Sequence, residues 1–518
     1  MKRALIATAA ALAAVLVAAP VASAIDRVNT RDLRNGVTVD GILEHERTFQ
    51  DIAIANEGNR AATTPGYDAS VEYVANRLRR AGYRVTLDAF NFPTWTLNGP
   101  STFQRTDAGN EATYVEDTDY IVAQFSGAGD VTGPIFVAGN TVVPPPGGAG
   151  TSISGCAPAD FAGMPAGAIA LIQRGTCPFT QKYQNALDAG AAATLIFNDG
   201  FEDREAPLAT TAPTDNDIPA AMISNDIGEA LAAATGATVR IVVDATTTPN
   251  EEFNVIADSP RGNKDRTIVV GAHLDSVEAG PGINDNGSGS AGILEIAEQI
   301  AKLGDRPRNR LRFAFWGAEE AGLVGSTAYV AEQAALAEEQ PGKGTDQIEA
   351  NLNFDMIGSP NFVRFVYDGD LSDSTPPPSG APEGSAQIER LFNRYFDRQG
   401  LAYAPTAFDG RSDYGPFITN GIAAGGLFTG AEGIKTAAQE AVFGGVAGLA
   451  YDPCYHQACD TFFNLSHVAL DQMSDAAAHA TWTLAESKSE LAPATSAKAK
   501  KGKKRGKAWK YKGPYRVR

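Results

Sequence analysis

Thr267-Ile268-Val269-Val270-Gly271-Ala272-His273-Leu274-Asp275 is the stretch whose reading decides the fold. Thr267–Ala272 reads as a short apolar strand, and it ends on a histidine and an aspartate. Outward from it, apolar strands alternate with helices. Ser288–Leu303 is predicted helical from the spacing of Ile293, Ile296, Ala297 and Ile300. Leu311–Trp316 reads as a strand, Gly325–Leu336 as a helix, and Ile348–Ile357 contains a further strand. Such alternation predicts a mostly parallel central sheet with helices on both faces, a three-layer α/β/α domain. Ligands of these sheets bind beyond the carboxyl ends of the strands.

Upstream, residues 37–62 read as helical. Asp68–Ala81 is predicted helical from Val71, Val74, Leu78 and Ala81, with Gly82 as its stop. Tyr83–Phe92 alternates like a strand. Residues 119–248 have another texture. Short apolar runs (Tyr120–Phe125, Gly133–Ala138, Ala168–Ile172, Ala193–Phe197) are broken by Gly and Pro, and no histidine occurs there. A β-rich domain inserted into the first would look this way. The expected organisation is therefore 25–118 with 249–487 as one discontinuous domain, and 119–248 as the insertion.

A chain of 518 residues, with 43% hydrophobic residues and 53 glycines, is expected to form two or more globular domains. Residues 1–24 read as a secretion signal: Lys2 and Arg3, then a small and apolar run, then Ala22-Ser23-Ala24. No other stretch is long and apolar enough to span a bilayer. Export permits disulfides, and the four cysteines allow three pairings. The local pairs Cys156–Cys177 and Cys454–Cys459 are favoured because they need the least chain closure. The net charge of −18 conceals eleven Lys/Arg and no Asp/Glu in 498–518, which leaves −31 over 25–497. So acidic a body argues against nucleic acid as a partner. The basic tail, 488–518, is expected to be a disordered extension, with association to an anionic cell envelope as a further expectation. A monomer is expected.

Four segments place a carboxylate or imidazole at or just after an apolar run. In Gly271–Asp275, His273 and Asp275 are two apart and share a face of an extended segment, so Asp275 can orient the imidazole. In Gly282-Ile283-Asn284-Asp285-Asn286-Gly287-Ser288, Asp285 sits at the mouth of a helix; taken alone it reads more simply as a cap. Phe315-Trp316-Gly317-Ala318-Glu319-Glu320 ends a strand on two adjacent carboxylates, whose side chains diverge and suit different tasks. In Asn353-Phe354-Asp355-Met356, one carboxylate lies amid apolar residues, a costly position unless it is paired or metal-bound. His456 lies between Cys454 and Cys459; alone it reads as a surface histidine.

Together, His273, Asp285, Glu320, Asp355 and His456 make a nitrogen and oxygen donor set suited to zinc. If Asp285 bridges two ions, each receives one histidine, one terminal carboxylate and the shared one. Three carboxylates and one hydroxide then balance two divalent cations. Glu319, beside a ligand, is the natural proton shuttle.

The segments GAHLDS (271–276), GINDNGSGSAG (282–292), FWGAEEAGLVGS (315–326), NFDMIGSPN (353–361), GRSDYGPF (410–417), GGLFTGA (425–431) and PCYHQACDT (453–461) follow one another in order. They resemble the secreted co-catalytic di-zinc aminopeptidase family. Residues 119–248 resemble the protease-associated (PA) domain through Ile172–Phe179 and Ala189–Ala193. The resemblance implies metal ligands at His273, Asp285, Glu320, Asp355 and His456, with Glu319 as general base and then acid and Asp275 as the orienter of His273. It implies Tyr455 as the donor to the oxyanion, and a substrate amine held near Glu319, Asp355 and the backbone of Arg411. Phe428 matches a wall of the pocket for the first side chain, which implies apolar N-terminal residues such as Leu. Asp471 and Asp475 match a calcium site in the short family members, although the N-terminal residues that complete it differ here.

The function expected is a secreted metallo-aminopeptidase acting on peptides and proteins with a free N-terminus. A carboxypeptidase on the same metal core would need cationic groups for a C-terminal carboxylate, and the motif loops hold only Arg411. An inactive receptor-like relative would have lost ligands, and here each is present.

Overall fold

The computed structural model describes residues 27–201, 204–234, 236–304, 306–373 and 381–491. The signal segment and residues 492–518 of the basic tail lie outside the described residues. Two compact units divide the chain. One is drawn from residues up to Leu87, Val255–Trp316 and Tyr329 onward, the other from Asp88–Asn254 and Gly317–Ala328. No helix among the described residues is long and apolar enough to cross a membrane.

The first unit is organised on an eight-stranded sheet. In spatial order the strands are Arg84–Asn91, Glu251–Asp258, Asn309–Trp316, Asn263–His273, Ile348–Phe354, Ala423–Phe428, Phe365–Tyr367 and Ala404–Thr406. The central four, from Asn309–Trp316 to Ala423–Phe428, run parallel. Antiparallel neighbours flank them at Glu251–Asp258 and Phe365–Tyr367.

Side-chain alternation along Asn263–His273 explains the layers. Ile268, Val270 and Ala272 point into a core with residues of helices Val39–Ala55, Pro65–Arg80, Gly289–Leu303, Ser385–Gln399 and His467–Glu486. Val269 points the other way, into a core with Trp316, Tyr329, Val330, Tyr414 and Phe417. A strand covered on both faces is apolar throughout, which is why 267–272 reads as an unbroken run. The fold is the expected three-layer α/β/α arrangement. Parallel strands also end on one edge, and His273, Trp316, Phe354 and Phe428 are their last residues.

The second unit holds its own eight-stranded sheet, in the order Ala112–Tyr114, Thr102–Arg105, Thr238–Val243, Gly129–Val137, Ile169–Gln173, Ala193–Phe197, Ala220–Ile223 and Tyr120–Val122. Phe103 pairs with both Ile241 and Tyr114, so strands before residue 119 belong to this sheet. Helices Phe179–Asp188 and Asn225–Ala233 complete the unit. Both disulfides form as the local pairing predicts, Cys156–Cys177 and Cys454–Cys459.

Candidate metal centre

The site is built from loops that leave the carboxyl ends of the parallel strands. His273 is the last residue of its strand and is buried. Its Nδ1 faces the main-chain oxygen of Asp275 at 3.1 Å and the Asp275 Oδ1 at 3.6 Å, so the backbone as well as the carboxylate of Asp275 sets the ring. That leaves Nε2 directed at Asp285 Oδ1 and Asp355 Oδ1, each 3.3 Å away.

Asp285 is presented by a tight loop. Gly282 has φ 59°, and a Cβ there would lie 2.3 Å from the Asp285 carbonyl oxygen, so no side chain fits. A cis peptide joins Asp285 to Asn286. The flanking asparagines tie this loop to its neighbours. Asn286 donates to the Phe354 carbonyl at 3.0 Å and accepts from the Met356 amide at 3.1 Å, fastening it to the loop that carries Asp355. Asn284 donates to Asp452 Oδ2 at 2.6 Å, fastening it to the segment that carries His456.

His456 sits in the disulfide-closed loop at φ 57°, stacked on Tyr455 with ring centroids 3.8 Å apart. Its Nε2 lies 3.3 Å from Asp285 Oδ2. Burial alone would raise the Asp285 pKa, but the two imidazoles hold it well below the ordinary carboxylate range. Glu319 and Glu320 follow the end of the strand Asn309–Trp316 by three and four residues.

These spacings fit zinc better than plain ion pairing. Charge-assisted N–H···O bonds close to about 2.7–2.9 Å. Ligands about 2.0–2.1 Å from a tetrahedral zinc stand roughly 3.3–3.4 Å from each other. All three imidazole–carboxylate contacts about Asp285 and Asp355 are 3.3 Å.

The remaining expected residues are distributed as follows. Asp355 Oδ2 accepts a 2.6 Å hydrogen bond from Ser412, whose Oγ in turn accepts from Asn353 at 2.8 Å. Arg411 pairs with Glu432 at 3.4 Å. Phe428 ends the strand beside Phe354 and stacks on Phe365, which meets Tyr451 edge-on. Asp475, expected at a calcium site with Asp471, instead faces Arg34 Nη1 at 3.3 Å.

Among the described residues, two other clusters have donors at metal-like spacing. At His45, Glu295 and Glu298, Arg77 already supplies a cation to Glu298. At Asp368, Asp370 and Glu389, backbone amides occupy the carboxylates.

Sequence reasoning passed over Asn284, Asn286, Ser412, Arg60 and Asp460. The signal for the asparagines was present: an acid bracketed by two amides in a glycine-rich loop calls for backbone partners.

A nitrogen–oxygen cluster at the carboxyl edge of an α/β/α sheet fits a metal-dependent enzyme. Residues 254–481 match peptidase family M28, and residues 131–231 match the PA domain. An aminopeptidase of Pseudomonas aeruginosa is 47% identical over 443 residues, covering 85% of this chain and 80% of its own. Leucine aminopeptidase 2 of Arthroderma otae is 35% identical, covering 89% and 87%. Among solved structures, a zinc aminopeptidase from Bacillus subtilis aligns with a TM-score of 0.52 at 25% identity, over 88% of this chain and 97% of its own. The chain belongs to peptidase family M28 with a PA domain, and it is a zinc aminopeptidase.

Proposed function

We propose that the enzyme holds two zinc ions and removes apolar N-terminal residues, Leu among them, from peptides outside the cell. His273, Asp285 and Asp355 would hold one ion, and His456, Asp285 and Glu320 the other. Zinc bound there polarises a carbonyl and makes water acidic enough to attack at neutral pH. The observation that carries this reading is Asp285, whose two oxygens each face a different imidazole at 3.3 Å.

Glu319 takes the proton of the attacking water and returns it to the departing amine. The Tyr455 hydroxyl donates to the oxygen of the scissile carbonyl. Glu319, Asp355 and the backbone at Arg411 receive the free amine of the substrate. Phe428, backed by Phe365, forms an apolar wall for the first side chain. The ion pair between Arg34 and Asp475 leaves calcium out of this proposal.

The same reading takes residues 1–24 as an export signal. It takes 119–248 as the main part of a PA domain inserted into the peptidase domain, joined in its sheet by Thr102–Arg105 and Ala112–Tyr114 from the segment before it. The family matches and the two disulfides support it.

The test is Glu319→Ala assayed on leucyl-anilide with zinc content measured in parallel. The expected result is two zincs per chain and a loss of about 10²–10⁴ in kcat, the usual range for a general base. Near-normal hydrolysis by a zinc-loaded variant would overturn it. Equal cleavage of N-acetylated and free peptides would overturn the aminopeptidase assignment of the site.

A further inference from the structure

The segment from Leu274 to Asp285 is held by two buried charges that are not among the expected metal ligands, Arg60 and, within the segment that carries His456, Asp460. Arg60 and Asp460 come from distant parts of the chain, and both are inaccessible to solvent. Arg60 Nε donates to the Pro281 carbonyl at 2.9 Å, and Nη2 to the Gly282 carbonyl at 2.6 Å. Its Nη1 donates to the Leu274 carbonyl. The Arg60 backbone is fixed as well: its amide donates to Ser276 Oγ at 2.9 Å, and its carbonyl accepts from the Ser276 amide at 3.2 Å. The guanidinium lies over Phe49, 5.0 Å from the ring centroid.

Asp460 does the reverse. Its Oδ1 accepts from the Asn284 amide and its Oδ2 from the Asp285 amide, both at 2.9 Å. Asn464 donates to the same Oδ1 at 3.1 Å and to both oxygens of Asp452. One cation therefore gathers carbonyls, and one anion gathers amides, of a single loop. Backbone groups turned this way have no partner within a helix or sheet, and leaving them unpaired in the interior is costly.

We propose that Arg60 and Asp460 are positioning residues that preset this loop, so that Asp285 stands with one oxygen toward each imidazole before any metal arrives. The proposal rests on the two-zinc reading above. Neither residue touches substrate or metal. Arg60 suits its place because a planar fork serves three carbonyls at once, which a lysine ammonium does not. Asp460 suits its place because a carboxylate is acceptor-only; an asparagine would turn two donors toward one of the amides.

The experiment uses the full-length enzyme, wild type beside Arg60→Lys and Asp460→Asn. Zinc is removed with a chelator, and its affinity is measured by competition with a chromophoric chelator. Both variants are expected to bind zinc about 10- to 100-fold more weakly, the usual cost of removing support behind a ligand. Their kcat should recover as zinc is raised, with KM unchanged. Wild-type zinc affinity in folded variants would overturn the proposal.

Should a variant fail to fold, the wild type decides. In the zinc-free enzyme, hydrogen exchange over residues 277–289 should already show protected amides at Asn284 and Asp285. Free exchange there until zinc is added would mean that metal, not Asp460, sets the loop. A wild type that binds no zinc would instead overturn the two-zinc reading, and this proposal with it.

Discussion

Ser412 Oγ donates a 2.6 Å hydrogen bond to Asp355 Oδ2, while Asp355 Oδ1 is turned to His273. One serine thereby decides which oxygen of the carboxylate faces the metal cluster. Ser412→Ala is expected to weaken zinc binding about tenfold or more, as removal of a partner from a ligating carboxylate does. The melting temperature of the zinc-free protein should barely change. Chelator competition and a thermal melt check both halves; unchanged affinity would rule out an orienting role.

Cys454 and Cys459 close a short loop that carries His456 at positive φ. A bridge across so few residues restrains the unfolded chain by only about 2 kcal/mol. The double variant Cys454→Ser/Cys459→Ser should therefore fold, yet lose zinc and activity together because His456 is no longer fixed. Metal analysis after dialysis, beside circular dichroism, tests this. Two tightly held zincs in the variant would contradict it.

His479 stacks on Tyr395 and bonds Thr30 Oγ1 at 2.8 Å. Burial, with Arg34 and Arg398 nearby, pushes its pKa down to about 4. The folded protein thus refuses a proton that the unfolded chain accepts below its ordinary value near 6.5. Stability from this group is full above that value and is lost as pH falls toward 4, by at most about 3 kcal/mol. Urea unfolding of the zinc-free wild type and His479→Gln at pH 7 and pH 4.5 checks the sign. The gap between the two proteins should narrow at the lower pH; a widening gap would refute it.

Phe428 ends its strand one residue past the Phe354–Leu427 pair, with its ring stacked on Phe365. Phe428→Ala should reduce the preference for Leu over Ala at the substrate N-terminus. A change in pocket size of this kind is worth about 1–3 kcal/mol in kcat/KM. Competing Leu and Ala substrates in one reaction gives the ratio directly, and an unaltered ratio would remove Phe428 from the specificity wall.

The sheet and most of the proposed ligands stand out in the sequence for the same reason. A parallel strand covered on both faces is a continuous apolar run, so a His or carboxylate at its end stands out, as His273, Glu319, Glu320 and Asp355 do. His456, which alone reads as a surface histidine between two cysteines, entered only as a member of the whole donor set. Arg60 was not legible, because nothing local marks a charge whose partners are carbonyls more than a hundred residues away; Asp460 stood in the quoted segment 453–461, but its amide partners lie as far off and its role was not read. Thr102–Arg105 and Ala112–Tyr114 were missed as members of the second sheet. They are short and largely half-buried or exposed, and only Thr102–Arg105 has a distant partner, Thr238–Val243, so no apolar run announces them. Arg34 opposite Asp475 was likewise invisible, since an arginine in a short amphipathic helix looks like ordinary surface charge.

His273 and His456 meet over one carboxylate, so a nascent chain leaves the ribosome with most of its sheet long before both imidazoles exist. On the two-zinc reading, a chain that stops short of residue 456 keeps the strands of its sheet but lacks one of the two imidazoles that Asp285 faces.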